Sequence, residues 1–218
     1  MSAQPASYPP RHVVVLAHPD AHSFNGLVAD AYCETVRACG QEAIVRDLYA
    51  MAFDPVLKNS ERPGEHGFAL SPDVEAELDT IRGSDVFVLI YPIWFGMPPA
   101  MMKGYVERVL GAGVTSRAVQ DRAGITILKD RRLVSITSSG ASEIWLDEQG
   151  QVESLRNLFS RYLLHAFGMK SCEYLHFGGI VEGFPQTFID QNVLRVQEHA
   201  RKICATAAAD RPICRSAA

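Results

Sequence analysis

The chain has no surplus of either charge. Twenty-one Lys and Arg stand against 25 Asp and Glu, a formal net charge of -4. That is too small, and of the wrong sign, for a general basic field toward nucleic acid or an anionic membrane. The longest basic cluster, KDRR at Lys129–Arg132, reads as a solvated loop. Cysteine is sparse: Cys33, Cys39, Cys172, Cys204 and Cys214 are odd in number and lack C-x-x-C spacing. Such a set argues against a disulfide framework and against a metal site, and it points to a reducing, cytoplasmic setting. No apolar run approaches the length of a transmembrane span, so membrane insertion is not expected. The opening MSAQPASYPPR has no apolar core and does not read as a signal peptide. A G-x-x-x-x-G-K-[ST] phosphate loop is missing, and no G-x-G-x-x-G follows a strand. Internal repeats and low-complexity tracts are absent as well.

What is present is a chain of 218 residues with 47% hydrophobic content, enough to build a real core. One domain over residues 1–218 is expected, loosely ordered at 1–10 and from about 206 to 218. HVVVLA (His12–Ala17) is a continuous β-branched run, as in a strand covered on both faces. Phe24, Leu27, Val28, Ala31, Tyr32 and Val36 then recur at helical spacing, closed by Gly40. A second strand, EAIVRDL, precedes a polar excursion over Tyr49–Ser71. Ser71 as N-cap, Pro72 at the first turn and Gly83 as terminator bracket the next helix. DVFVLIY is the third strand, followed by a helix over Pro99–Leu110. RLVSITS is the fourth, followed by a polar loop and a helix over Val152–Gly168. KSCEYLHF is the fifth, and a last helix spans about Gln186–Thr206. Strands alternating with helices give an α/β fold, a parallel sheet with helices on both faces.

In such a sheet ligands sit beyond the carboxyl ends of the strands, where strand order reverses. For the order 2-1-3-4-5 that crevice lies between strands one and three, and the loops there are HPDAHSFNG (His18–Gly26) and YPIWFGMPP (Tyr91–Pro99). TSSGAS (Thr137–Ser142) is the next neighbour. The first loop opens a helix whose N–H groups favour an anion, with Ser23, Asn25 and a protonated His18 as partners; ordinary capping by Ser23 explains the same residues. His22 reads as exposed. In the second, Pro92, Pro98 and Pro99 fix the path and leave Ile93 to Gly96 as donors, while Trp94 and Phe95 offer flat apolar surface. A planar ring such as isoalloxazine needs that combination, although the aromatics could equally pack on a helix or a partner. The third loop, small and hydroxyl-bearing around Gly140, suits a planar ligand or an ordinary turn.

The segments VVVLAHPDAHSFN, RDLYAMAFDP, LSPDVEAE, YPIWFGMPPAMMKGYVERV and LVSITSSG, with a weaker echo in LLHAFGM, carry a resemblance to a known family. Over about residues 12–178 the chain resembles the NAD(P)H:quinone oxidoreductases, the DT-diaphorase group of flavodoxin-like flavoproteins. The resemblance implies a five-stranded 2-1-3-4-5 sheet, FAD or in relatives FMN as cofactor, and a homodimer. It places His18, Ser23, Phe24 and Asn25 at the flavin's phosphates and ribityl chain. Pro92, Ile93, Trp94, Phe95 and Gly96 fall on the loop contacting the isoalloxazine, and Thr137, Ser138, Ser139 and Gly140 on the second flavin loop. KGYVERV matches a helix near dimer contacts. Two departures stand out. The family's Gln between the equivalents of Ile93 and Trp94 is missing, and its substrate-site Tyr and His fall near Trp145 and Gln151. Their assistance to hydride transfer therefore does not carry over. His165, inside a helical pattern, reads as a packed histidine rather than a replacement. Trp145 either roofs the substrate pocket or packs in the core.

The implied chemistry is two-electron ping-pong transfer of hydride from NAD(P)H, through flavin N5, to a quinone. The cofactor carries the reaction and no protein residue is catalytic. FAD is favoured over FMN because HPDAHSFN has one hydroxyl where FMN proteins show a Ser/Thr-rich phosphate loop. Relatives that serve as ancillary subunits of potassium-efflux systems supply the rival reading, a flavin-binding regulator with little turnover. A phospho-accepting receiver would need acidic residues where this chain has His18-Pro19 and Tyr91-Pro92, and is rejected.

Overall fold

The computed structural model describes residues 8–64, 66–120, 126–181, 183 and 185–210. The expectations for residues 1–7 and 211–218, Cys214 among them, lie outside this range.

Five parallel strands form one sheet in the order β2-β1-β3-β4-β5. They are β1 (Arg11–Leu16), β2 (Glu42–Asp47), β3 (Val86–Pro92), β4 (Arg132–Ser138) and β5 (Ser171–Phe177). The expected order is the observed one. All seven positions of β3 and of β4 are buried, because these strands lie inside the sheet with helices on both faces. Alternate side chains feed two separate cores. Val13, Val15, Phe87, Leu89 and Tyr91 face Tyr105, Val109 and Leu163, whereas Val14, Val86, Val88, Ile90 and Val134 face Val28, Tyr32, Val196 and Ile203. The second group brings α1 (Phe24–Ala38) and α8 (Gln186–Asp210) together on one face. The first is covered by α2 (Pro72–Ile81), α3 (Ala100–Tyr105) with its π-helical continuation Val106–Leu110, and α7 (Tyr162–Ala166).

Several expectations are corrected. The Tyr49–Ser71 segment is anchored rather than simply lying over the surface. Its short 3-10 turn (Asn59–Glu61) buries Glu61 against Arg108, at 2.6 and 2.8 Å. Pro55 lies so close to Gly104 that a Cβ there would stand 2.3 Å from the Pro55 carbonyl oxygen. Ser71 occupies the N-cap position of α2, but its side chain makes no capping bond. Arg132 of KDRR is buried at the start of β4, where Asp210 accepts from its Nε at 2.8 Å. That ion pair lies at the end of α8, which runs four residues beyond the expected Thr206. The helix expected over Val152–Gly168 is α6 (Gln151–Leu155), a π-helical stretch over Arg156–Arg161, and then α7. His165 on α7 is exposed, not packed. Two further short helices are present, the second within the polar loop expected after the fourth strand. They are α4 (Ser116–Gln120) and α5 (Glu143–Glu148), the latter capped by Ser142 Oγ accepting from Trp145 N at 3.2 Å. With Leu146 as its one buried residue, α5 offers no periodicity to read.

Candidate functional site

Each of the three loops starts where a buried strand runs out, and backbone hydrogen bonds hold the loops side by side. Ala17 N donates to Ile90 O at 3.0 Å, Ile93 N to Ser138 O at 2.7 Å, and Ser139 N to Phe177 O at 2.9 Å. Between them lies a cleft of about 130 Å3. His18, Phe24, Asn25, Pro92, Ile93, Trp94, Ser138, Ser139 and Gly140 line it, joined by Ile180, which the sequence did not signal. Ser23, Phe95, Gly96 and Thr137 stand outside that lining.

The first wall is the start of α1. Ser23 caps the helix, its Oγ accepting from Gly26 N at 3.2 Å. His18 Nδ1 lies 3.0 Å from Asp20 N, which folds the loop back on itself and leaves Nε2 as the outward nitrogen. Among the described residues the N–H groups of Phe24 and Asn25 make no hydrogen bond, so the helix start offers two donors. Asn25 is buried and exchanges hydrogen bonds with Ser138 Oγ, at 2.9 and 3.2 Å. It fastens α1 to β4 across the cleft floor. Phe24 meets Phe177 edge-on, with ring centroids 5.4 Å apart.

The second wall corrects the donor count. Ile93 N is engaged by Ser138, and Trp94 and Met97 exchange backbone hydrogen bonds at 3.1 Å each. Phe95 and Gly96 are therefore the central residues of a two-residue hairpin, with φ of 51° and 78°. Positive φ at both positions is the mark of a type I′ turn. Only the Phe95 and Gly96 N–H groups, not all four from Ile93 to Gly96, remain without a partner among the described residues. Trp94 is partly exposed, its ring 5.7 Å from that of His18, and Phe95 projects fully into solvent.

The third wall rests on a buried polar chain. Thr137 is an internal strand residue, and its Oγ1 lies 2.8 Å from His176 Nδ1 and 2.9 Å from Tyr174 OH. Ser139 Oγ donates to Ala141 O at 2.9 Å and lies 3.1 Å from His176 Nε2. Burial pushes the His176 ring down to a pKa of about 4, with Asp147 opposing and Arg195 reinforcing the shift. Gly179 N and Ile180 N tie the loop to the chain after β5 through Ala141 O and Ser139 O, at 2.6 and 2.7 Å. The N–H groups of Gly140 and Ala141 are left without partners among the described residues. His176 is the residue that sequence reading missed. Thr137 and His176 are register partners on adjacent parallel strands, and register is invisible before the sheet is built. Trp145, half-exposed in the first turn of α5, does not line the cleft.

An open doubly wound parallel sheet with its cleft at the switch between the first and third strands defines a flavodoxin-type α/β architecture. The chain belongs to the flavodoxin-like fold family, which it matches over residues 10–200. It is similar to an NAD(P)H oxidoreductase of Haemophilus influenzae, 28% identical over 78% of this chain and 84% of that one. It is also similar to NAD(P)H dehydrogenase [quinone] 1 of Rattus norvegicus, 33% identical over 62% of this chain and 56% of that protein, so it spans little more than half of that relative's length. Among solved structures, the NAD(P)H:quinone oxidoreductase of Methanothermobacter marburgensis superposes with a TM-score of 0.76 at 27% identity, covering 89% of this chain and 96% of that one. The resemblance read from the loops is thus the one the comparisons return. No helix among the described residues is long and apolar enough to cross a membrane.

Proposed function

We propose that the protein is a flavin-dependent NAD(P)H:quinone oxidoreductase. The observation that carries this reading is the set of N–H groups without partners, among the described residues, on the three loops around one cleft. Phe24 and Asn25 offer them at the helix start, Phe95 and Gly96 on the hairpin, and Gly140 and Ala141 on the third loop. A flavin needs these three things: donors for its phosphate end, donors for the acceptor-bearing edge of its ring, and a flat apolar neighbour in Trp94. The cleft residues His18, Asn25, Trp94, Ser139 and Gly140 would hold the flavin.

When bound, the flavin supplies the redox chemistry, passing hydride from NAD(P)H to a quinone in two-electron ping-pong turnover. The chain's own residues bind and orient. Phe24 and Asn25 N–H, with His18 Nε2, hold the phosphate end; Ser23 fixes the helix start rather than touching the anion. The hairpin and third-loop N–H groups would serve as donors to the ring and would favour the negative charge that the bound flavin takes on when reduced. Trp94 and Phe95 exclude water from one side. Thr137 supports the third wall from within the sheet. FAD is the preferred nucleotide, FMN the alternative, because the one hydroxyl in the first loop is already engaged as a helix cap. The family resemblance implies a homodimer, and the sparse, unpatterned cysteines are the ground for a cytoplasmic setting.

The test is direct. Purified protein should be yellow or become so with FAD, release a nucleotide identifiable by chromatography, and oxidise NAD(P)H only when a quinone is added. Flavin binding without quinone-dependent turnover would favour the regulatory reading, and a folded protein that takes up neither flavin nucleotide would end the proposal.

A further inference from the structure

Under the third wall, four hydrogen bonds run in series from Tyr174 through Thr137 and His176 to Ser139 and on to Ala141. Their proton order can be worked out atom by atom. Ala141 O can only accept, so the single hydroxyl proton of Ser139 points to it, at 2.9 Å. Ser139 Oγ must then accept from His176, and Nε2, 3.1 Å away, carries the ring proton. Burial keeps the ring neutral at pH 7, with Asp147 on α5 and Arg195 on α8 as the charged groups that act on it. A neutral ring protonated on Nε2 has its lone pair on Nδ1, which accepts from Thr137 Oγ1 at 2.8 Å. The Thr137 proton is thereby used, so in this order the 2.9 Å contact runs from the Tyr174 hydroxyl to Thr137 Oγ1 rather than from Thr137 to Tyr174. Among arrangements with a neutral ring, this is the one that satisfies every bond.

We propose that His176 is a positioning residue of the cofactor cleft: its Nε2–H tautomer turns the Ser139 hydroxyl away from the ligand and onto the Ala141 carbonyl, holding the Ser139–Ala141 wall in its receiving form. This rests on the flavin reading of the same cleft. Two observations support it beyond the chain itself. Ser139 lines the cleft, so a released hydroxyl would reorient toward the ligand. The same carbonyl also takes Gly179 N at 2.6 Å, so losing the Ser139 clamp loosens the junction with the segment that brings Ile180 to the cleft. His176 touches neither the ligand site nor solvent, being 5% exposed and absent from the lining.

Long-range proton–nitrogen NMR of the full chain, with 15N-labelled histidine at pH 7, reads the tautomer directly. A proton on Nε2 and an unprotonated Nδ1 are expected for His176; a proton on Nδ1, or on both nitrogens, overturns the proton order. Flavin titrations of two variants then test the role. His176→Gln keeps one donor and one acceptor and should bind flavin within about threefold of wild type. His176→Leu leaves both hydroxyls without their partner and should bind about tenfold more weakly. A Leu variant as tight as wild type, or a Gln variant as weak as the Leu variant, overturns the proposal. Wild-type protein that binds neither flavin nucleotide overturns the functional reading instead, and the tautomer measurement still decides the proton order.

Discussion

Phe95 combines two unfavourable features. It is a non-glycine residue at φ 51°, and its ring is wholly exposed. Left-handed backbone at such a residue costs on the order of 1 kcal/mol, and a type I′ turn would accept Asn there with less strain. Gly96, at φ 78° with open space around its Cα, has the conformational freedom the second position requires. Strain at an exposed aromatic is therefore better explained by what the ring covers than by folding. Phe95→Asn should raise stability to urea by about 1 kcal/mol. It should also lower quinone-dependent turnover about tenfold, as seen in steady-state rates. A variant that gains stability and keeps full turnover would remove Phe95 from the site.

The main device at the level of elements is Arg108, in the π-helical turn that continues α3. Its side chain is fully buried and fixes three separate segments. Glu61 accepts from Nε and Nη2 at 2.8 and 2.6 Å, Asp73 of α2 accepts from Nη1 at 2.9 Å, and the Asp54 carbonyl from Nη1 at 2.5 Å. The guanidinium also lies 5.3 Å from the centre of the Phe53 ring. Arg108→Met leaves the Glu61 carboxylate buried and unpaired, and should cost about 3–5 kcal/mol in urea unfolding. Adding Glu61→Leu should recover most of that loss, since the charge needing a partner is gone. A single variant within 1 kcal/mol of wild type would show that the junction contributes little. None of this could be read beforehand. Val13 to Leu16 and Val86 to Ile90 announce core strands by composition alone, and Gly40 and Gly83 mark helix ends by their positive φ. The loops of the cleft were legible because aromatic and hydroxyl residues right after a buried strand are unusual. The partners of Glu61, Arg108, Thr137 and His176 were not legible, because each pair depends on how distant segments dock.

For the whole molecule, two buried groups contribute to the response to acid in different pH windows, alongside the lowered pKa values of His12, His199, Asp73 and Asp210. His176 is held neutral, with a pKa of about 4 against an ordinary 6.5, because burial disfavours its charged form. The unfolded chain takes up a proton between these values and the folded chain does not. Stability is therefore full above pH 6.5 and declines as pH falls toward 4. Glu61 is held ionised, at about 2 against 4.5, first by its hydrogen bonds to Arg108, so its contribution is full above 4.5 and is lost as pH falls through 2. Each shift corresponds to about 3 kcal/mol. The two windows separate the end of the sheet that carries the cleft from the junction that anchors the Tyr49–Ser71 segment. Urea unfolding of wild type and His176→Gln at a series of pH values should show this. Between pH 4.5 and 6 the variant should lose about 1.4 kcal/mol per pH unit of slope, the linkage of one proton. Below pH 4 the two curves should run parallel, because Glu61 is untouched. Equal slopes in the upper window would mean that His176 titrates as freely in the folded chain as in the unfolded one.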